Sequence, residues 1–412
     1  MSETITTDLW RLRAPRARRL GRTAVIVTVH PAGDQRILRC AQSALDAGYD
    51  VRFVWLAARG VEVRPHPRVH EVRLAAHPST WGRLRVIPAL YRAAVRSGGD
   101  LWHIHDFYLL PAGWLLSRRT RRPVVYDVHE YYPEYYASKL PIPSPLRGLA
   151  ERVIGRMECA LARRLGGVNA VSDNIAARFA RAGALAVATP NYPAPATPPS
   201  AALPLSPERL RRVIHIGTLT PEYGSEVLLD LAHLLATSEP SIEVLAIMRF
   251  PSDRARNQFE SILRERGRPP NLTLVEPLPA YQVAALLAPC GIGLSLLQDS
   301  GQAPLAVPTK LYEYVHAGLA MVCSDLPATR DFVAAHGVGQ VVPPHDASRY
   351  AASISSLQRQ PGITARTATA ARAAVDELCW DAVCSARIRQ LYDDLDGAPP
   401  EPASVGVTSD DM

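Results

Sequence analysis

A short, continuous apolar run followed by an amphipathic stretch recurs along this chain, and that rhythm constrains the fold more than any other feature. Ala24 to Val29, Val51 to Leu56, Leu101 to His105, Val124 to His129 and Gly167 to Ser172 lack the polar alternation of a strand with one wet face. They read as strands buried on both sides, which is the mark of a parallel sheet. Between them lie helical patterns. Asp34 to Ala47 sets Ile37, Leu38, Ala41 and Leu45 on one side, and Pro145 to Leu165 repeats Leu149, Val153, Met157 and Leu161 at helical spacing. Alternation of this kind predicts a doubly wound α/β domain.

The rhythm breaks between Pro190 and Pro207, where seven prolines suit a semi-rigid linker and cannot enter a sheet. It then restarts. Strands are expected at Val213 to Gly217, Ile242 to Met248, Leu272 to Val275, Gly291 to Leu297, Ala320 to Ser324 and Gln340 to Val342. Helices are expected at Gly224 to Ala236, Asp253 to Arg266, Tyr281 to Ala288 and Thr309 to Ala317. The chain therefore parses into a basic flexible arm (1–22), a first α/β domain (23–190), a linker (191–210) and a second α/β domain (211–371). Helices at 372–396 are expected to fold back on the first domain, with a disordered tail at 397–412. Two such domains should frame a cleft, with ligands outside the carboxyl ends of the strands.

Charge and cysteine usage exclude several classes. The net charge is +7, yet among 46 basic residues only Lys139 and Lys310 are lysine. That skew, with abundant Ala and Pro, follows the codon usage of a GC-rich bacterial genome and does not point to nucleic acid. The six cysteines are scattered, with neither a CxxC pair nor a zinc spacing, and read as buried thiols of a cytoplasmic protein. No run reaches the ~18–20 apolar residues of a membrane span. Six arginines between Arg11 and Arg22 form an arm that is expected to be solvated, with peripheral contact to an anionic membrane as its other use. Asp393-Asp394-Leu395-Asp396 reads as a solvated helix end, not a metal site. GxGxxG, GxxxxGK[ST] and GxSxG are absent, which weighs against dehydrogenase, P-loop and α/β-hydrolase chemistry.

The segment from Pro304 to Gly318 carries the strongest chemical signal. Pro308 and Thr309 suit a helix start, where free N–H groups and the dipole favour an anion. Lys310 and Glu313 then share one face while Leu311, Tyr314 and Val315 pack inward. An ammonium at a helix start with a carboxylate one turn on suits a phosphorylated ligand bearing vicinal hydroxyls. An ordinary exposed Lys-Glu pair would have the same spacing.

The segment PTKLYEYVHAGLAMVCSDLPATRDFV resembles the nucleotide-sugar segment of the family 4 glycosyltransferases, and the likeness continues in VTVHPAGDQRIL, DLWHIHDFYLLPAG, VVYDVHEYYPEYY, AVSDNIAARF, TPNYP and VIHIGTLTPEYG. The resemblance implies the GT-B fold, two Rossmann-like domains facing across a cleft. By the same resemblance Glu313 holds the donor ribose, and Gly217, Thr218, Arg249, Thr309, Lys310 and Leu311 surround the donor diphosphate. His129 contacts the transferred sugar, so His129, Glu313 and Lys310 are the expected catalytic set. Asp34, Arg36, His105, Asp106 and Glu130 are expected around the acceptor.

Three positions depart from the family pattern. Leu305 stands where the E-x7-E pattern has its first Glu. Thr218 and Tyr223 replace the usual diphosphate-clamping Arg and Lys, and Met248-Arg249 replaces an expected Gly, so Arg249 is expected to return one charge. The implied activity is retaining transfer from a nucleotide-diphosphate sugar to a glycan, lipid-linked or small-molecule hydroxyl, with neither metal nor cofactor. The rival readings are a catalytically silent nucleotide- or glycan-binding protein, and a sugar-nucleotide epimerase or hydrolase. Donor base, acceptor and oligomeric state stay open.

Overall fold

The computed structural model describes residues 5–7, 21–30, 34–57, 61–63, 66–75, 80–194, 205–278, 280–301, 303–304 and 306–397. Residues 1–4 and 8–20 of the expected arm, Leu305, residues 195–204 of the expected linker and the tail from residue 398 lie outside them, whereas Ile5–Thr7 of that arm form a strand. The chain divides into two compact units, Met1–Pro190 with Cys384–Met412, and Asn191–Val383. The return to the first unit comes at Cys384, later than the residue 372 suggested by the periodicity.

In the first unit the strands are β1 (Ile5–Thr7), β2 (Thr23–Val27), β3 (Asp50–Ala57), β4 (Val61–Val63), β5 (Val69–Ala75), β6 (Leu101–His105), β7 (Val124–Val128), β8 (Gly167–Ala170) and β9 (Ala186–Ala188). Seven of them form a parallel sheet in the order β5-β3-β2-β6-β7-β8-β9, and β1 pairs with β4. The second unit has β10 (Arg212–His215), β11 (Glu243–Ile247), β12 (Leu272–Val275), β13 (Ile292–Ser295), β14 (Ala320–Ser324) and β15 (Gly339–Val342). These are parallel in the order β12-β11-β10-β13-β14-β15. Strand order reverses between β2 and β6 in one sheet and between β10 and β13 in the other, so each unit has one crevice at its strand carboxyl ends where helices part.

Helices cover both faces, which is why the central strands are mostly apolar. Val213, Val244, Ile292 and Val322 face one layer, while Ile214, Met321 and Cys323 face the other with Leu311 and Val315. Burying each such side chain contributes roughly 1.5–3 kcal/mol. Local signals set the helix starts. Asp34 accepts hydrogen bonds from the Arg36 and Ile37 amides at 3.0 and 3.4 Å to begin the helix Gln35–Asp46, and Ser172 and Ser252 cap Asp173–Arg181 and Asp253–Arg266. All six cysteines are free thiols, five of them buried. No described helix is long and apolar enough to cross a membrane.

Two elements depart from expectation. The helix Ser144–Ala162 turns Leu149, Val153 and Met157 outward, each 46–56% exposed, and buries Glu158 and Ala162 instead. Glu158 is held inside by the Tyr126 hydroxyl at 2.8 Å and by Arg178. The terminal acidic run is also partly interior: Asp393 is buried, and Asp396 accepts the Tyr49 hydroxyl at 2.7 Å and pairs with Arg22 at 3.0 Å.

In the second unit, Gly293 of β13 leaves room for the Tyr314 ring, which an added Cβ would meet at 2.6 Å. The Tyr314 hydroxyl accepts the Ile216 N–H at 3.1 Å and lies 3.0 Å from the Leu294 carbonyl, tying the helix Thr309–His316 to the ends of β10 and β13. Gly293→Ala should therefore cost about 1–3 kcal/mol in urea unfolding. Tyr314→Phe should cost about 1–3 kcal/mol through the orphaned Ile216 amide.

Candidate functional site

Each unit gathers polar groups at its own crevice, and the two gatherings are opposite in kind. In the second unit the chain leaves β10 through Ile216, Gly217 and Thr218, and Thr218 bridges Arg249 beyond β11, with the Leu219 N–H donating to the Arg249 carbonyl at 2.9 Å. The helix Thr309–His316 starts beside this loop. Its N-cap is Pro308 with no side-chain cap, so Thr309 stands exposed at the first turn and does not cap it. Lys310, the next residue, points inward and is only 7% exposed.

The Lys310 ammonium rests against Gly217, where a Cβ would lie 3.1 Å from Nζ; with φ at 133° and no side chain, this glycine makes the seat. Among the described residues Nζ has no hydrogen-bond partner. Burial lowers its pKa from 10.5 to about 8, against the opposing pull of Cys323 and of Glu313, one turn on and half-buried. Burial and Lys310 together hold the neighbouring His215 well below its usual range, hence neutral. A buried, unpartnered ammonium is costly, and such a group at a strand-end crevice is suited to an anion that completes it. Arg249 is exposed at the next strand end, while Tyr223 is 43% exposed on a 3₁₀ turn. Leu311 is wholly buried in the core and offers no side-chain contact to a ligand.

In the first unit the polar groups satisfy one another. Asp127 of β7, fully buried, accepts from Arg36 Nε at 2.7 Å, Asn169 Nδ2 at 2.6 Å and the Cys40 thiol at 3.4 Å, and lies 3.0 Å from His103 Nε2. Arg36 also donates to the Thr189 carbonyl at 2.6 Å and its hydroxyl at 3.2 Å. Burial opposes ionisation of Asp127, yet Arg36 and the surrounding histidines hold its carboxyl well below the usual range. His129, beyond β7, has Nε2 at 3.1 Å from His105 Nδ1 and 3.4 Å from Asp127, and stacks on His30 with centroids 5.7 Å apart. Burial lowers both His129 and His105, the latter strongly, so both are neutral near pH 7. His129 keeps 14% of its side chain exposed, and His105 none, with Nε2 lacking a partner among the described residues. Asp106 sits at a positive φ of 83° with its carboxylate held by His30 and the Tyr132 hydroxyl.

Several expected acceptor contacts are thus corrected. Arg36 is a buried partner of Asp127, because an isolated carboxylate in a sheet interior demands a cation. Asp34 is the helix cap, and His105 and Asp106 are buried at 0% and 6% exposure, closed into the network. Glu130 alone of this group is exposed. Sequence reading missed Asp127, His103, His30, Tyr132, Asn169 and Thr189. The signal was present in HIHD and YDVH, where a period of two sets His103 with His105 on one face of β6, and Asp127 of β7 on the same side as His129 just beyond it. Cys40, His103, His105 and Asp127 also present metal-donor atoms within 4.8 Å of one another. Burial and Asp127 push the Cys40 thiol well up, and Arg36 already neutralises the carboxylate, so this donor set suits a hydrogen-bonded core better than a cation.

Residues 32–192 match the glycosyl transferase 4-like domain and residues 202–374 the glycosyl transferases group 1 domain. The chain belongs to the family 4 glycosyltransferases. Across 89% of its length this glycosyltransferase is 27% identical to a phosphatidyl-myo-inositol mannosyltransferase of Mycolicibacterium smegmatis, covering 92% of that protein. Its fold, GT-B, is shared with a sucrose-phosphate synthase of Thermosynechococcus elongatus (TM-score 0.69, 17% identity, 92% of this chain and 100% of that one). It is shared also with Anabaena Alr3699/HepE in complex with UDP (TM-score 0.63, 18% identity, 91% and 100%).

Two outcomes follow for stability. Arg36→Ala should destabilise the first unit by about 3–5 kcal/mol in chemical denaturation, whereas a mere acceptor contact would leave stability unchanged. Lys310→Met should stabilise the free enzyme at pH 7 by up to about 3 kcal/mol. Because the folded pKa is depressed, the penalty carried by Lys310 is full below pH about 8 and is relieved as pH rises toward 10.5, so the gain from Met should vanish there.

Proposed function

We propose that this glycosyltransferase takes a nucleotide-diphosphate sugar and transfers the sugar, with retention of anomeric configuration, to the hydroxyl of a glycan, lipid-linked or small-molecule acceptor. The observation that carries this reading is the buried Lys310 ammonium, unpartnered against Gly217 at the crevice of the second unit's sheet. It needs an anion, and a diphosphate supplies one in reach of the loop amides of 217 and 218. Glu313 is assigned to the ribose hydroxyls, and Thr309 and Arg249 to the outer phosphate oxygens. With Thr218 and Tyr223 in the clamp positions, Lys310 carries most of the neutralisation.

In the proposed step the bond from the anomeric carbon to the leaving phosphate oxygen breaks. The acceptor oxygen bonds to that carbon on the same face, and its proton passes to the departing phosphate. Charge accumulates on the diphosphate, so a preorganised ammonium in a dry site is the main contribution asked of the protein. Neutral His129 is assigned a hydrogen bond to the transferred sugar, a role a cation beside an oxocarbenium-like carbon would serve poorly. The mannosyltransferase relative is named for a phosphatidyl-inositol, which favours a lipid-linked acceptor. Anabaena Alr3699/HepE holds UDP, which makes a uridine nucleotide the first donor to try.

Glu313→Ala and Lys310→Met should each lower turnover about 100-fold or more with a verified donor, while both variants stay folded; unchanged turnover in both overturns the assignment. Diphosphate binding should also raise the Lys310 pKa. Calorimetric titration of UDP at pH 8, in buffers of differing ionisation enthalpy, should show uptake of about half a proton by the wild type and none by Lys310→Met. Product stereochemistry by NMR tests retention.

A further inference from the structure

The outward face of the helix Ser144–Ala162 is used by nothing described above. Among the described residues, six of the nine large apolar side chains that stand exposed lie between Leu115 and Met157, so the exposure is concentrated and not scattered. Leu146, Leu149, Val153 and Met157 recur at spacings of three and four residues and are 46–56% exposed, forming one stripe along the helix. Leu140, in the loop that leads into this helix, is 40% exposed, and Leu115, on a neighbouring helix packed against it, 48%.

The surroundings of the stripe select its partner. At 3.6 residues per turn Arg152, Arg156 and Arg163 line one edge and Arg147 the other, all exposed and without an ion pair among the described residues. Lys139 sits over the Tyr135 ring at 3.4 Å, and Arg118 over Trp114 at 5.2 Å, at the ends of the two helices that pack beside it. Leucines flanked by arginines and amphipathic aromatics suit an interface that is apolar inside and anionic at its edge. A second copy seated about this stripe would set the arginine edges against each other, at a cost in like-charge repulsion.

We propose that the outward face of the helix Ser144–Ala162 is a membrane-docking surface, lying in the interface of a bilayer that carries anionic phospholipid. Its apolar stripe enters the headgroup boundary and its arginines contact lipid phosphates. The proposal is independent of the basic arm and of the donor reading.

The test is co-flotation of the full chain with phosphatidylcholine vesicles, with and without phosphatidylglycerol. Binding is expected only with the anionic lipid and should weaken in high salt. Val153→Asp with Met157→Asp, and separately Arg152→Glu with Arg156→Glu, should each lower binding at least tenfold with the arm intact and circular dichroism unchanged. As a second readout that leaves the fold's charge alone, Val153→Trp should shift its fluorescence to the blue on anionic vesicles. Absence of flotation, equal flotation of both charge variants, or a dimer in sedimentation equilibrium that the stripe variant dissolves would overturn it.

Discussion

A carboxylate with no water around it organises the first unit. Ionised Asp127 lies in the middle of a parallel sheet, where an uncompensated charge costs several kcal/mol. The structure answers with Arg36 from the first long helix, His103 from β6, Asn169 from β8 and, through Arg36, Thr189 beyond β9. His103 passes the connection to Tyr392 at 2.7 Å, so the last helix is tied to the same centre. His129, beyond β7, lies 3.4 Å from the same carboxylate. Burial, against the pull of Asp127, keeps His129 neutral.

The second unit handles its charge in the reverse manner. Lys310 has the burial of a core residue but not its hydrogen bonds. Tyr314, one turn further along the same helix, ties that helix to the ends of β10 and β13. One charge is satisfied, the other has no partner among the described residues, and both belong to residue types that rarely enter a core. A cost in stability concentrated at one point is the usual arrangement of a working site.

The central strands were legible because burial on both faces favours continuous apolar runs; β2 and β14 fall where theirs do. β5 escaped because it is an edge strand, with His70, Arg73 and their neighbours alternately exposed, and β9 because three residues carry no period. For the helix Ser144–Ala162 the periodicity reported a stripe correctly and could not report its direction: a buried Glu158 with Tyr126 and Arg178 holds the opposite face inward. Lys310 and Glu313 were legible from helix spacing together with resemblance, while the burial of Lys310 depends on Gly217, distant in sequence. Arg36 was misread for a related reason, since its partner Asp127 lies far along the chain in β7 and looked like a lone polar residue in an apolar run.

The return of the chain at Cys384 has a consequence for how the protein is made. The second unit is one continuous stretch, Asn191–Val383, whereas the first needs the helix Ser385–Leu395 to cover the helix Gln35–Asp46 and to supply Tyr392 to His103. On the ribosome the unit begun first is therefore the one finished last. Through the synthesis of the whole second unit its sheet waits with one flank uncovered, which places the window for misfolding or chaperone capture in the first unit and makes a shortened carboxyl end injurious to the unit that starts the chain.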